Sequence, residues 1–225
     1  MVPAEVYERT FQLWAGSASA TCFAADIDGR QYVVTARHVV EHADPRDLRI
    51  TRNGNHEPFG ATRCWLSPRA DIAVISLDRL IAPADLTLPL TKEAMVFGQD
   101  AYFLGFPYGM TWTPHQLLHQ GQPIPLVKKA IVSGEIELEP DHDVLLLDGH
   151  NNEGFSGGPV VLVPPGRSKI QVVGVVMGYR VAPVPVSDPT GLTIGAVLTN
   201  TGLMFAENIT EALVGARALG DGCPV

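Results

Sequence analysis

The sequence predicts an all-β protein, and three observations carry that prediction. Short runs of β-branched and apolar residues recur along the whole chain, each bounded by turn residues. Glycine and proline number 22 and 18 in 225 residues, above the roughly 12% usual for globular chains. Only two segments have helical character. The first-half strands are Phe11–Ala15, Cys22–Ile27, Tyr32–Thr35, Leu48–Thr51 and Ile72–Leu77. Asp28-Gly29 stands between the second and third of these and signals a hairpin. Ser67-Pro68 and Pro83 bound the fifth. Ala101–Leu104, Ala130–Glu137, Val144–Leu147, Pro159–Val163, Val172–Met177 and Gly195–Leu198 complete the set. The helical segments are a single turn after His38 and a C-terminal helix over Glu207–Leu219. Leu213 and Ala216 share one face of that helix, and Gly220 is its stop. Gly105–Val127 holds proline and glycine without periodicity and reads as a long connection between two halves.

The remaining composition excludes several classes. Lys plus Arg is 16 against 24 Asp plus Glu, a net charge of −8. A chain this acidic is a poor ligand for nucleic acid or for an anionic membrane. No apolar run approaches the ~18 residues of a membrane span. The start, Met1 to Trp14, carries Glu5, Glu8 and Arg9 and lacks the pattern of a secretion signal. Cys22, Cys64 and Cys223 are too few for a disulfide framework or a metal motif, which suits a reducing compartment. The expectation is a cytoplasmic protein. His115 and His119 are spaced i, i+4, but Pro114 and Gly121 flank them and no acidic ligand is near. Neither a metal nor a cofactor is expected.

Three stretches carry chemistry. Tyr32 to Val40 is an apolar strand that ends in small residues and then presents His38. In Ala70–Ile75, Asp71 stands at the start of an apolar strand. In Gly154–Val161, Ser156 lies in a glycine-dense turn that leads into a strand. A serine hydroxyl is a weak nucleophile until a base takes its proton. Histidine can do so near neutral pH. A carboxylate holds the imidazole in the required tautomer. Gly154 and Gly157 permit a turn that aims the Gly154 and Ser156 amides at one point, where an oxyanion would form. Asp44, Asp47 and Asp148 are rival acids. The first two lie too close to His38 in sequence, and Asp148 ends a strand beside the serine turn.

On these residues the sequence resembles the trypsin-like (chymotrypsin-fold) serine peptidases, and among them the bacterial HtrA-like branch. Thr35-Ala36-Arg37-His38, Asp71-Ile72-Ala73-Val74 and Gly154-Phe155-Ser156-Gly157-Gly158-Pro159 are similar to the family's histidine, aspartate and nucleophile segments. Leu104-Gly105-Phe106-Pro107-Tyr108-Gly109 is similar to the turn that ends the first half in HtrA-like proteins. Val172–Val176 falls where the family has a strand lining the cleft. The resemblance implies two six-stranded antiparallel β-barrels with a short C-terminal helix. Residues 1–110 would form the barrel carrying His38 and Asp71, and 111–129 the connection. Residues 130–225 would form the barrel carrying Ser156, plus the helix.

The resemblance further implies a serine endopeptidase acting on protein or peptide substrates through an acyl-enzyme. His38 would be the base, Asp71 the orienting acid and Ser156 the nucleophile. His150, Glu153 and Gly178 would contribute to the substrate pocket. A histidine at 150 favours an acidic or amide side chain, whereas Glu153 favours basic neighbours, so the two cues oppose one another. Phe155 occupies the position where the digestive members carry an aspartate, so activation by cleavage of a zymogen is not expected. No peptide-binding module is expected after the catalytic unit. The run Thr111–Val127 is long for the branch and stands as a lid or a site for a regulatory partner. Two alternatives remain: a silent fold used for binding, and an esterase or autoprocessing enzyme with the same triad.

Overall fold

A computed structural model describes residues 1–111, 121–140 and 142–225. The loop expectation at Thr111–Val127, with His115 and His119, therefore falls largely outside the described residues. A one-turn helix α1 (Ala4–Glu8) leads into β1 (Thr10–Ala15), β2 (Ala18–Ile27) and β3 (Arg30–Thr35). The β2–β3 turn is Asp28-Gly29, with φ of 50° and 75°. These are the left-handed angles that a two-residue hairpin needs. A four-residue helix α2 (Arg37–Val40) follows, then β4 (Arg49–Arg52), β5 (Asn55–Pro58), β6 (Ala61–Leu66) and β7 (Ala73–Leu77). These strands form one sheet in the order β5-β4-β1-β2-β3-β7-β6.

The second unit is a closed barrel. Its strands are β8 (Asp100–Gly105), β9 (Leu126–Glu139), β10 (His142–Asp148), β11 (Pro159–Leu162), β12 (Gln171–Ser187) and β13 (Thr193–Asn208). They close in the order β10-β13-β12-β11-β8-β9. A helix α3 (Thr210–Leu219) and the short β14 (Cys223–Pro224) end the chain, and β14 returns to pair with β3 of the first sheet.

The fold class is as expected, two antiparallel β units with a short C-terminal helix, and two finer expectations are corrected. The first unit is a sheet of eight strands, in which β5, β6 and β14 join the five runs read from the sequence. β5 and β6 carry mostly exposed or half-buried residues, so no period-2 apolar pattern marks them. The boundary between units also moves. β8, expected in residues 1–110, pairs with β9 and β11 and belongs to the barrel. The true connection is the segment between β7 and β8, which is stitched to β12 by Thr91 N–H to Val172 O (3.0 Å) and Val172 N–H to Pro89 O (2.8 Å). The turn after Gly105 thus follows the first barrel strand rather than ending the first half. Finally, α3 begins at Thr210 rather than Glu207, which is the penultimate residue of β13. Its end is as expected, with Gly220 at φ 69°.

The packing explains why the units form one body. One cluster fills the first sheet around Phe11, Leu13, Ile50, Phe59 and Ile75. Another fills the barrel around Phe103, Val132, Leu147, Phe155 and Val173. A third lies between them and joins Phe23, Val34 and Val74 of the sheet to Leu104, Val161, Val175 and Ala212. Burying these side chains, at roughly 1.5–3 kcal/mol for each large one, holds the two sheets face to face. Beyond the barrel, β12 and β13 continue as a two-stranded ribbon, from Val181↔Asn200 to Ser187↔Thr193.

Candidate active site

His38 is the second residue of α2, directly after β3, and its side chain is half exposed. The Asp71 carboxylate receives two hydrogen bonds from this residue. The His38 ring Nδ1 lies 2.6 Å from Oδ2, and the His38 backbone N–H donates to Oδ1 at 2.8 Å. Arg37 N–H also donates to the Asp71 carbonyl, at 3.2 Å. The Asp71 contact raises the His38 pKa above its ordinary value, burial pulls the other way, and the Asp71 and Glu41 charges add to the rise. A neutral imidazole that donates from Nδ1 leaves Nε2 as an acceptor.

Ser156 lies in the turn between β10 and β11. Its hydroxyl donates to the Met177 carbonyl of β12 at 3.4 Å and, among the described residues, makes no hydrogen bond to the His38 ring. The structure thus brings His38 and Asp71 into contact and holds Ser156 on the facing unit with its hydroxyl turned toward β12. Catalytic hydrogen bonds are often long in free enzymes and tighten when substrate binds.

The turn itself is built by close backbone approach. Gly154 has φ 96°, and a Cβ there would lie 2.4 Å from Phe106 O and 3.0 Å from Tyr108 N. At Gly157, φ 83°, a Cβ would lie 2.2 Å from both Thr21 O and Thr35 Oγ1. Only glycine fits either position. The Glu153 carbonyl accepts from Tyr108 N–H at 2.9 Å. Tyr108 has φ 54°. Neither Gly154 N–H nor Ser156 N–H has an acceptor among the described residues. Two backbone donors are therefore left free beside the serine.

Sequence reasoning missed three residues that hold this arrangement. Thr21 of β2 reaches across the units. Its hydroxyl donates to Gly154 O (2.7 Å) and accepts from Phe106 N–H (3.1 Å), and its N–H donates to Ser156 O (3.0 Å). Tyr108 holds Glu153, as described. Glu207, buried in β13, accepts from Asp71 N–H at 2.8 Å. No local pattern marks Thr21 or Glu207, and the Leu104–Gly109 stretch contains Tyr108 without pointing to Glu153, since each acts on a segment far away in sequence.

The remaining candidates sit around the turn. His150 and Glu153 are exposed, and His150 O accepts from Lys128 Nζ at 2.7 Å. Gly178 of β12 adjoins Met177 and has open space where a side chain would project. Asp44 caps the short helix Pro45–Asp47 by accepting from Arg46 N–H at 2.9 Å and does not reach His38. The three cysteines are free thiols. Among the described residues no cluster could hold a metal ion.

The trypsin-like peptidase domain family matches this chain over residues 19–175. That span contains His38, Asp71 and Ser156. Solved structures repeat the architecture. The Rv3671c protease of M. tuberculosis H37Rv, as an inactive serine-to-alanine mutant, superposes with a TM-score of 0.63. It shares 22% identity, and the match covers 99% of this chain and 91% of that one. The HtrA-type protease AlgW with a bound tripeptide gives a TM-score of 0.59 at 18% identity, covering 96% of this chain and 61% of that chain. The MamO protease domain from Magnetospirillum magneticum gives 0.52 at 17%, covering 96% of each chain. The family match spans more than half of the chain, and the two-unit β fold agrees with it. This chain is a member of the trypsin-like peptidase family and hence a serine protease.

Proposed function

We propose that the protein is an endopeptidase that cleaves peptide bonds through a covalent acyl-enzyme. Ser156 is the nucleophile, His38 the general base, Asp71 the group that orients it, and the Gly154 and Ser156 amides the oxyanion hole. The reading rests chiefly on one observation: beside Ser156, the Gly154 and Ser156 N–H groups have no acceptor among the described residues, and the family match that holds this serine also holds the paired His38 and Asp71. In this scheme, substrate displaces the Ser156 hydroxyl from the Met177 carbonyl toward Nε2 of His38. His38 takes the hydroxyl proton as Oγ attacks the scissile carbonyl. The two amides receive the developing oxyanion, and His38 then returns the proton to the leaving amine. The imidazolium formed midway is stabilised by Asp71, whose contact already favours the charged ring. His150, Glu153 and Gly178 border the groove for the residue before the cut bond, and a peptide-library cleavage profile reads their preference directly.

The Ser156–Met177 hydrogen bond favours a second reading, in which the fold is silent and serves binding. One experiment separates the two. The protein is treated with a fluorophosphonate and its intact mass is measured, with Ser156→Ala alongside. Attack by Oγ on phosphorus expels fluoride and leaves one adduct. The proposal expects a single adduct on the native protein and none on the variant. An unlabelled, folded native protein would refute it and leave the binding reading.

A further inference from the structure

We propose that Glu207 is a positioning residue for the catalytic acid, acting from the opposite unit through the Asp71 backbone and held in place by His142. The inference rests on the triad reading above.

Asp71 belongs to the turn between β6 and β7. This turn is closed by Ser67 N–H to Ile72 O at 3.0 Å, and by Arg69 and Ala70 N–H groups that share the Ser67 hydroxyl. None of these bonds uses Asp71 N–H. That donor goes instead to Glu207 Oε1 at 2.8 Å, across the interface between the sheet and the barrel. The Glu207 residue is 1% exposed. Its other oxygen, Oε2, lies 2.8 Å from His142 Nε2 at the start of β10. A buried carboxylate without partners is costly, but here both oxygens are occupied. A hydrogen bond from a backbone amide to a carboxylate is roughly twice as strong as a neutral one. A second tie runs parallel, since Ser67 Oγ donates to Glu211 of α3 at 2.6 Å.

This arrangement serves catalysis rather than stability alone because of where it acts. Asp71 and His38 ride on the first sheet, whereas Ser156 and the Met177 carbonyl ride on the barrel. Their mutual position is set by contacts that cross the interface. Glu207 lies on β13 beside β12, opposite Val175, two residues from Met177. It therefore links the acid of one unit to the strand that touches the nucleophile of the other. His142 lines a cavity of about 220 Å³ with Arg69, Lys92, Asp143 and Glu211. Lys92 is paired with Glu135, so His142 is the side chain that directly engages Glu207.

The test compares Glu207→Gln with Glu207→Met by fluorophosphonate labelling, resolved into affinity and maximal rate. Glutamine keeps an oxygen for Asp71 N–H, whereas methionine fills the volume without one. Glu207→Met should lower the maximal labelling rate at least tenfold with affinity within twofold, and Glu207→Gln should stay within threefold of native. Equal rates in the native protein and a folded Glu207→Met variant would overturn the inference, and so would equal losses in the two variants. If Glu207→Met does not fold, amide exchange in the native protein decides. The Asp71 N–H should be protected far beyond an exposed turn amide, and rapid exchange would refute the proposal. A native protein that fails to label at all would instead refute the triad reading, so the two failures are distinguishable.

Discussion

Replacing Gly154 by alanine isolates the oxyanion turn from the rest of the site. The perturbation is one methyl group. It would lie 2.4 Å from Phe106 O and 3.0 Å from both Pro107 Cα and Tyr108 N, all backbone atoms that cannot swing aside. The residue would also be held at φ 96°, a region costing a non-glycine residue on the order of 1–3 kcal/mol. The turn must therefore move, and the Glu153 O to Tyr108 N–H bond of 2.9 Å is the contact in its path. Losing that bond lets the peptide before residue 154 rotate and removes one oxyanion donor. One such donor is worth about 10²–10³ in rate. The assay is the fluorophosphonate labelling rate at 25 °C, with a thermal melt as the control. The melt should fall by roughly 2–12 °C for a chain of this size, at about 2–4 °C per kcal/mol, which leaves the protein folded at the assay temperature. A folded Gly154→Ala protein that labels at the native rate would refute the assignment of the turn.

Three further outcomes follow from other contacts. Asp71→Asn should lower turnover by about 10⁴-fold, the scale seen when the orienting acid is lost from such a triad. It should also move the acid limb of the rate profile. In the native protein that limb should lie above the ordinary histidine value near 6.5, because the Asp71 contact raises the His38 pKa and a general base must be neutral to act. Without the carboxylate the limb shifts to lower pH, and an unmoved limb would show that the contact does not control the base. The same rise means that the His38–Asp71 pair stabilises the fold fully below pH ~6.5 and loses that contribution as pH climbs through the raised pKa. Thr21→Val strips the hydroxyl from Gly154 O and Phe106 N–H. It should cost about 1–3 kcal/mol and slow labelling, and an unchanged melt would sink this account. Replacing residues 182–199 by a two-residue turn should shift the melt by no more than about 4 °C, the effect of roughly 1 kcal/mol, because none of them is buried. A larger loss would mean that the ribbon supports the barrel.

Much of the fold is legible because its signals are local. Asp28-Gly29 enforces a tight hairpin whatever surrounds it, and Gly220 stops α3 through its own left-handed φ. The strand cores were readable where burial is continuous, as in β7 and β11, whose residues are all buried. β5, β6 and β14 were not, because their residues are largely exposed or half-buried and they are ordered by neighbours already in place. The start of α3 is hidden from the sequence because Glu207 suits a first helical turn by type, whereas the β13 ladder and Asp71 hold it in a strand. The place of β8 is hidden from the sequence for a related reason. A strand's partners are chosen by packing, and nothing in Asp100–Gly105 says which sheet it joins.

The site divides in the same way. The sequence by itself determined the reactive types and their local settings: a histidine after an apolar strand, an aspartate at the head of another, and a serine among glycines. Those settings depend on backbone angles and side-chain size within a few residues. Only the tertiary structure decided the partners. Thr21 meets Gly154 across 133 residues, and Glu207 meets Asp71 across 136. It also decided that the Ser156 hydroxyl turns to Met177 and that Glu153 O turns to Tyr108. A hydrogen bond between distant segments forms only where two sheets happen to bring donor and acceptor together. That meeting is set by how the interface packs, and no short stretch of sequence records it.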